Sequence, residues 1–402
     1  KSNKCHPERS EGSHEIHRTD ILLRLIGGKM DKIKVLVVFG TRPEAVKMAP
    51  IVKALKKDED NFISKICVTA QHRDMLDQVL RIFDIEPDYD LNIFENGQTL
   101  TQITCRALTG LEEVIEDFKP EIILVQGDTT TVFAGALAAF YHQVKIGHVE
   151  AGLRSGNLYS PYPEEANRMM TGVLTDFHFA PTETSKKNLI REGYDENKIF
   201  ITGNTSIDAL RWVIDDNYKF EEEIINNIDF ENKRVILLTA HRRENIGKPM
   251  ENIFSALKDI AEENKDVEVI YPMHLNPKVR EIAHKIFGDI ENVHLIEPLD
   301  YLPFTNLMNK CYLVVTDSGG VQEEAPSLGK PVLVVRRETE RPEGIEAGTA
   351  KLAGTDRENI YNELHLLLNN EEEYKKMANA VNPYGDGKAA EYIIQAIKRN
   401  YK

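Results

Sequence analysis

From residue 30 onward, short apolar runs alternate with longer amphipathic segments along the chain. In the first half these runs are five to eight residues long, and they span residues 33–39, 62–69, 121–126, 144–149, 177–181 and 198–203. Such runs, separated by helix-length segments, are typical of a parallel sheet covered by helices on both faces. The pattern therefore predicts a doubly wound α/β domain.

The second half repeats this alternation after a charged stretch at residues 215–234. Its apolar runs span residues 235–240, 267–272, 293–298, 311–315 and 331–335. No fixed-period repeat relates the two halves, so we expect two separate domains that share an architecture. We place their bounds at residues 30–204 and 205–384. The remaining segment, residues 385–402, contains an amphipathic helix pattern that can pack on either domain.

Length and charge agree with a two-domain protein and narrow its partners. The 402 residues suffice for two domains of about 150 to 200 residues each. The net charge of −15 argues against general binding to nucleic acid or to anionic membrane surfaces. No apolar run approaches the ~20 residues that a membrane-spanning helix needs. We therefore expect a small-molecule ligand, with any phosphate held by a local site.

The cysteines and the first residues of the chain add two expectations. The cysteines show neither CxxC nor His–Cys metal spacing, which predicts free thiols in a reducing, cytoplasmic compartment without a zinc site. They are Cys5, Cys67, Cys105 and Cys311. Residues 1–29 are polar and patternless, and Met30 opens "MDKIKVLVVFG" like a natural start. We interpret residues 1–29 as an added or upstream extension without function.

Open α/β sheets bind ligands outside the carboxyl ends of their strands. The first strand is followed by "GTRPEAVKMAP", which has one glycine where a dinucleotide fingerprint needs GxGxxG, and GxxxxGK[ST] occurs nowhere. Neither a dinucleotide site nor a P-loop is indicated. Arg42 and Lys47 lie where they can reach a diphosphate, although a solvated helix start explains them equally well.

Three carboxylates follow strands or open a helix. Asp128 and Glu150 each end a hydrophobic strand, where burial is expected to raise a carboxyl pKa toward values useful for proton transfer. Asp128 is also a suitable helix N-cap. Glu164 follows a proline at a helix start, where acidic residues are common, so it either caps the helix or joins the other two in one pocket.

The second half offers groups that suit an anion. His241 follows the first strand of domain two in "TAHRREN", which suits it to proton transfer or to a phosphate. In "TDSGGVQEEAP", the backbone N–H groups of Ser318, Gly319 and Gly320 are predicted to be free for an anion at a helix N-terminus. A tight strand-to-helix turn is the alternative. Arg341 follows the next strand and adds positive charge.

Several of these segments closely resemble the bacterial non-hydrolysing UDP-N-acetylglucosamine 2-epimerases, in collinear order from about Lys32 to the C-terminus. The matching segments are "GTRPEAVKMAP", "QGDTTT", "HVEAGLRSG", "PEEANR", "TAHRREN", "HLNPKVRE" and "TDSGGVQEEAPSLGKPVLVVRRETERPEG". The resemblance implies a GT-B architecture with two facing Rossmann-like domains, a last helix that crosses back to domain one, and a homodimer. It implies reversible C2 epimerisation through loss and re-addition of UDP, without NAD or metal, for cell-surface polysaccharide.

The resemblance also implies roles for individual residues. Acid/base chemistry falls to Asp128, Glu150 and Glu164, with His241 beside the diphosphate. Contacts to the nucleotide-sugar are implied for Arg42, Lys47, Phe304, Ser318, Gly319, Gly320, Glu324 and Arg341; among these, Phe304 lies beside uracil and Glu324 accepts the ribose hydroxyls. Leu299 stands where some members carry glutamine, and Glu323 receives no role.

The segment Gln71-His72-Arg73 matches one that many bacterial members use for activation by their own substrate at a second site, so we hypothesise such regulation here.

Three competing hypotheses about the function stay open from the sequence. They are a hydrolysing 2-epimerase that releases free N-acetylmannosamine, a GT-B glycosyltransferase with the same fold, and a nucleotide-sugar-binding regulator without catalysis.

Overall fold

The structure is a computed structural model, and it describes residues 32–70 and 73–401. The predicted extension at residues 1–29 and the positions Gln71 and His72 lie outside the described residues, and for Arg73 the description is confined to the backbone, which begins a helix. The described chain forms two parallel sheets of seven and six strands. Two doubly wound α/β domains are thereby confirmed.

The first sheet has the strand order β3-β2-β1-β4-β5-β6-β7, and all its neighbouring strands are parallel. The strands are β1 Ile33–Phe39, β2 Phe62–Val68, β3 Tyr89–Asp90, β4 Ile122–Gln126, β5 Lys145–Val149, β6 Phe177–Ala180 and β7 Ile199–Ile201. The strand order reverses direction between β1 and β4. A crevice at such a reversal is where doubly wound sheets bind ligands.

Strand β1 shows why its apolar run is continuous. Val35 and Val37 pack on one face of the sheet with the helix Arg42–Lys57, whereas Leu36 and Val38 pack on the other face with two further helices. A strand buried on both faces has no solvent-facing position, so its sequence does not alternate. The helices of this half are Arg42–Lys57, Arg73–Ile82, Leu100–Phe118, Thr130–Tyr141, Glu164–Leu174, Glu183–Arg191 and Thr205–Val213.

The second sheet has the order β10-β9-β8-β11-β12-β13 and is also parallel. Its strands are β8 Arg234–Thr239, β9 Val267–Pro272, β10 Val293–Ile296, β11 Leu313–Thr316, β12 Val332–Val334 and β13 Ala350–Leu352. The helices of this half are Glu223–Asn226, Lys248–Glu263, Pro277–Phe287, Tyr301–Lys310, Gly319–Glu324, Pro342–Glu346, Arg357–Asn369, Glu371–Ala378 and Ala389–Asn400. Within the described residues, no helix has the length and apolarity to cross a membrane.

The last helix, Ala389–Asn400, packs against the first half of the chain. Ile393 and Ile397 are buried in the same apolar cluster as the core residues of β1. The helix start is fixed by Asp208, whose carboxylate accepts the backbone N–H groups of Ala389 at 3.1 Å and Ala390 at 2.9 Å. Burial raises the pKa of Asp208 to about 6, against the effect of these hydrogen bonds.

Two chain segments cross closely at this junction. Gly203 and Gly385 both have positive φ, and a Cβ added to Gly203 would lie 3.0 Å from the Cα of Gly385. The backbone N–H of Asn204 donates to the carbonyl of Tyr384 at 2.7 Å. Because the obstructing atom is backbone, it cannot be relieved by turning a side chain. Both chain segments therefore need glycine where they cross.

We predict that Gly203→Ala lowers the melting temperature more than Gly193→Ala does. The two glycines have φ values of +84° and +89°, but a Cβ on Gly193 would meet no described residue within 4 Å. Both variants carry the strain of positive φ, about 1 kcal/mol, and only Gly203→Ala adds the collision, which we expect to cost about 1–3 kcal/mol more. Calorimetric melting compares them. Equal losses of stability would show that the crossing relaxes freely.

Candidate active site

A cavity of about 430 Å³ lies between the strand ends of the two sheets. Arg42 lines it from the first half, and the remaining lining residues come from the second. They include His241, His274, Leu299, Phe304 and Ser318. The structure thus brings together Arg42, His241, Phe304 and Ser318, four of the residues singled out from sequence, around one space.

Glu150, which is buried, forms an ion pair with Lys47, which is half-buried. Glu150 directly follows β5 with φ +64°, and the Nζ of Lys47 lies 2.7 Å from each of its carboxylate oxygens. The amide of Gln126 also donates to Glu150. Burial alone raises the pKa of Glu150, but the charge and hydrogen bonds of Lys47 outweigh it, so the pKa lies below its ordinary value. The expectation of a raised pKa is wrong for Glu150.

Asp128 lies on the loop after β4 and pairs with Arg168, whose Nη2 is 2.5 Å from Oδ2 of Asp128. Burial raises the pKa of Asp128, and the charge of Arg168 opposes that shift only partly. The helix that follows is capped by Thr129, which accepts from the backbone N–H of Val132. Asp128 is therefore not the N-cap, because the helix begins one residue later than that role requires.

Glu164 is half-buried in the first turn of its helix, one turn before Arg168. Its carboxylate makes no hydrogen bond or ion pair within the described part of the chain. The neighbouring Glu165 is buried instead, and it accepts from the backbone N–H groups of Ser155 and Gly156 and from Arg168. Glu165 thus fixes the loop, and the carboxylate of Glu164 is left free.

Glu44, which sequence reasoning missed, ties the first two loops together. It is buried and accepts the backbone N–H groups of Gly40 at 3.2 Å and Thr41 at 2.7 Å, and the hydroxyl of Thr129 at 2.9 Å. Burial raises its pKa to about 7, against these hydrogen bonds. The turn that precedes Arg42 and the loop that carries Asp128 are therefore held by one side chain.

In the second half, Asp317 orients His241. The buried Oδ2 of Asp317 accepts the backbone N–H groups of His241 and Arg242 and the amide of Asn245. Its Oδ1 has no hydrogen-bond partner among the described residues and lies 3.7 Å from Nδ1 of His241. The imidazole stacks on His274 with ring centroids 5.2 Å apart. Burial lowers the pKa of His241, and Asp317 opposes that effect.

The glycine turn differs from its prediction in one respect. The N–H of Ser318 donates to the hydroxyl of Thr316 at 2.9 Å, so it is not free for an anion. The N–H groups of Gly319 and Gly320 open the helix Gly319–Glu324 and have no acceptor within the described chain. A Cβ on Gly320 would meet no atom of the described chain within 4 Å, which leaves room for a ligand.

Arg341 lies beside this turn but is already paired. A Cβ on Gly319 would be 3.9 Å from the Cζ of Arg341, and the Nε of Arg341 donates to Glu323, which is buried. The charge of Glu323 raises the pKa of Arg341 despite burial. The adjacent Glu324 is half-buried, and burial raises its pKa to about 8, with a further contribution from Glu323.

Asn204 joins the two halves of the site. Its amide donates to Oε2 of Glu323 at 2.7 Å and lies 3.4 Å from Oε1 of Glu150. Sequence reasoning assigned no role to Asn204 or Glu323. Asn204 follows the run at residues 198–203, so its place after a strand was the available signal. No comparable signal distinguished Glu323 from Glu324.

His148 supports the loop that carries Asp128. Its Nε2 lies 2.7 Å from the carbonyl oxygen of Gly127, which requires the proton on Nε2. In the part of the chain that the structure describes, Nδ1 has no hydrogen-bond partner. Burial lowers its pKa to about 4, and that of the neighbouring His178 to about 3. Both values lie below the ordinary 6.5, so the unfolded chain takes up protons first as the pH falls.

We therefore predict that His148 contributes a loss of stability as the pH drops from about 6.5 to 4, and that His148→Gln removes this contribution. The glutamine amide keeps a donor for Gly127 but does not titrate, which removes up to ~1.4 kcal/mol per pH unit from the slope. Melting temperatures between pH 7 and 5 measure it. His365→Gln, at an exposed position, is the control, and the same slope in both variants would contradict the assignment.

Comparison with known proteins gives consistent matches over most of the chain. A family model described as UDP-N-acetylglucosamine 2-epimerase matches residues 53–398. A UDP-N-acetylglucosamine 2-epimerase of Bacillus subtilis is 59% identical over 372 residues, which cover 92% of this chain and 97% of that protein.

Solved structures agree with this match. The UDP-GlcNAc 2-epimerase of Neisseria meningitidis, bound to UDP-GlcNAc, is 50% identical with a TM-score of 0.80, covering 92% of this chain and all of the other. A glycosyltransferase of Rickettsia africae has a TM-score of 0.61 at 14% identity, with 93% and 100% covered, and shares the fold alone. The GT-B fold class is confirmed.

Proposed function

Because the chain belongs to the UDP-N-acetylglucosamine 2-epimerase family, we propose that it interconverts UDP-N-acetylglucosamine and UDP-N-acetylmannosamine without net hydrolysis. The observation that carries this proposal is the pairing of two different walls. Asp128 and Glu150, whose pKa values are shifted in opposite directions, follow strands of the first half and form one proposed wall. The backbone N–H groups of Gly319 and Gly320, beside Arg341, form the proposed second wall in the other half. A protein that only binds the nucleotide would need the backbone N–H groups and cations, but not the two carboxylates.

The proposed reaction begins with departure of UDP, because the C2 proton of the sugar is not acidic on its own. The C1–O bond breaks, its electron pair leaves with the diphosphate, and a base removes the C2 proton, which gives 2-acetamidoglucal. UDP then adds back to C1 while an acid delivers a proton to the opposite face of C2. Developing charge on the diphosphate is stabilised by fixed donors, among them the N–H groups of Gly319 and Gly320.

Protonation at two faces requires more than one acid/base group. Glu150, whose pKa is lowered by Lys47 against burial, suits the unprotonated base. Asp128, whose pKa is raised by burial, suits the proton carrier. Environments that push two carboxyl pKa values apart are a sign of such paired roles. Glu164 has an unpaired carboxylate one turn from Arg168 and is proposed as the third member.

The nucleotide is proposed to extend along the second wall. Phe304, which lines the cavity, lies beside uracil, and Glu324 contacts the ribose hydroxyls. His241 and Arg42 line the same cavity and suit the diphosphate. Arg341 is proposed as a further contact to UDP. Neither NAD nor a metal enters the proposed reaction, and the product serves cell-surface polysaccharide synthesis.

One experiment separates this function from its rivals. We expect that incubation with UDP-N-acetylglucosamine in deuterated water, without NAD or metal, yields UDP-N-acetylmannosamine carrying deuterium at C2 by NMR. Free N-acetylmannosamine would instead identify a hydrolysing enzyme. Unchanged substrate that still binds would indicate a glycosyltransferase or a regulator, and would overturn the proposal.

The acid/base roles are tested by Asp128→Asn and Glu150→Gln. We expect each to lower kcat by about 10²–10⁴-fold, because a proton-transfer group is lost, while UDP still binds. Initial rates and calorimetric UDP binding measure the two effects. Glu113→Gln is a control at an exposed carboxylate. Near-normal turnover in either active-site variant would remove that residue from the catalytic set.

Two further proposals concern assembly and regulation. A homodimer is supported by an exposed apolar surface on the adjoining helices Thr130–Tyr141 and Glu164–Leu174. Its residues are Phe140, Tyr141, Met169, Met170 and Val173. A monomer in light scattering would contradict this proposal.

Substrate activation through Gln71, His72 and Arg73 rests on the motif, and strictly hyperbolic conversion of UDP-N-acetylmannosamine would count against it.

A further inference from the structure

Asn204 is held in one orientation by two separate demands. Its Oδ1 accepts the backbone N–H of Ser206 at 3.0 Å and so caps the helix Thr205–Val213. A backbone N–H needs an acceptor, which assigns oxygen to that side and turns the NH₂ group toward the cleft. There the amide bridges two carboxylates, Glu323 at 2.7 Å and Glu150 at 3.4 Å.

Each of these carboxylates also holds one cation. Lys47 is paired with Glu150, and Arg341 is paired with Glu323. The four charges sum to zero, and one ion pair comes from each half of the chain. The side chain of Glu323 is 4% exposed and that of Arg341 is 17% exposed, so water screens their interaction weakly. The guanidinium lies next to Gly319, whose N–H group has no acceptor within residues 32–70 and 73–401.

This arrangement matters for a reaction in which the charge of the nucleotide changes. A terminal phosphate carries about −1.5 to −2 charge near pH 7, whereas a phosphate esterified to a sugar lacks its second ionisation. Released UDP is therefore more negative than UDP joined to a sugar. A surplus of positive charge beside Gly319 would stabilise released UDP more than the nucleotide-sugar, and would trap the intermediate state.

We propose that Glu323 is a positioning residue that restrains Arg341 and limits the positive charge presented to the diphosphate, with Asn204 linking this pair to Glu150. This inference rests on the proposed function and adds a residue to it. Glu323 favours re-addition of UDP by making released UDP less strongly bound. Asn204 fixes the position of Arg341, through Glu323, relative to the carboxylate of Glu150.

The central test is Glu323→Gln, which keeps the shape of the side chain and removes its charge. We expect calorimetry to show that UDP binds about tenfold more tightly. KM for UDP-N-acetylglucosamine should change by less than about threefold, so the ratio of this KM to the Kd for UDP rises. We also expect kcat to fall and free 2-acetamidoglucal to appear. A variant that loses affinity for both ligands in parallel, with a lower melting temperature, would show a merely structural role.

A double-mutant cycle with Arg341→Gln shows whether Glu323 acts through Arg341. In the Arg341→Gln background, Glu323→Gln is expected to leave UDP affinity unchanged, because the restrained cation is gone. Tightening of UDP binding that persists in that background would overturn the proposal. Glu323→Asp keeps the negative charge and should retain wild-type UDP affinity. If it tightens UDP binding as Glu323→Gln does, charge is not the cause.

Asn204→Ser isolates the bridge, since serine still caps a helix but has no NH₂ group. We expect lower kcat with UDP affinity within about twofold of wild type, because no charge is removed. Asn370→Ser changes a cap far from the cleft and controls for capping. Wild-type kcat in Asn204→Ser would refute the bridge. Failure of the proposed function is a separate result, because it would appear as the absence of epimer when the wild-type protein is incubated in deuterated water. The UDP affinities that test the role of Glu323 are measured without turnover.

Discussion

The ion pair between Lys47 and the buried Glu150 is the constraint on which the site depends. A carboxylate removed from water is costly unless a cation and further hydrogen bonds compensate it, and here Lys47, Gln126 and Asn204 supply them. The pair joins the helix after β1 to the end of β5, 103 positions apart in sequence. These elements must keep their register across the sheet, because a displaced lysine would leave an unpaired buried charge.

The two halves of the molecule solve the same problem in the same way. Each places a buried acid where it accepts two successive backbone N–H groups of a loop that follows a strand. Glu44 does so for Gly40 and Thr41 after β1, and Asp317 does so for His241 and Arg242 after β8. Loops at strand ends carry functional side chains but lack sheet hydrogen bonds of their own. A buried carboxylate supplies the missing acceptor and makes the loop rigid.

The sequence was most informative where burial extends to both faces of a strand. The central strands gave continuous apolar runs, and all eleven predicted runs correspond to strands of the two sheets. Strands β3 and β13 were missed, because each lies at the edge of its sheet and spans only two or three residues. Such short pairings depend on the neighbouring strand, and they leave little pattern in their own residues.

The site was less accessible to sequence reasoning, because its electrostatics arise between distant positions. Strand-end logic found Asp128, Glu150 and His241, but burial alone gave the wrong direction for the pKa of Glu150. The deciding charge, Lys47, belongs to another element. The partner of Asn204 is 119 positions away, and one sequence holds no signal for that pair. The N–H of Ser318 was likewise satisfied by a hydroxyl two residues earlier.

The two adjacent glutamates of the helix Gly319–Glu324 show how one turn of backbone separates two chemical states. Glu323 points to Asn204 and Arg341, and it is paired with a full positive charge. Glu324 is half-buried without a cation of its own in the described chain, and desolvation, followed by the charge of Glu323, raises its pKa to about 8. Near neutral pH, Glu324 is therefore largely protonated and can donate as well as accept a hydrogen bond. The carboxylates beside the glycine turn do not repel an anion equally, because one is neutralised by an arginine and the other by a proton.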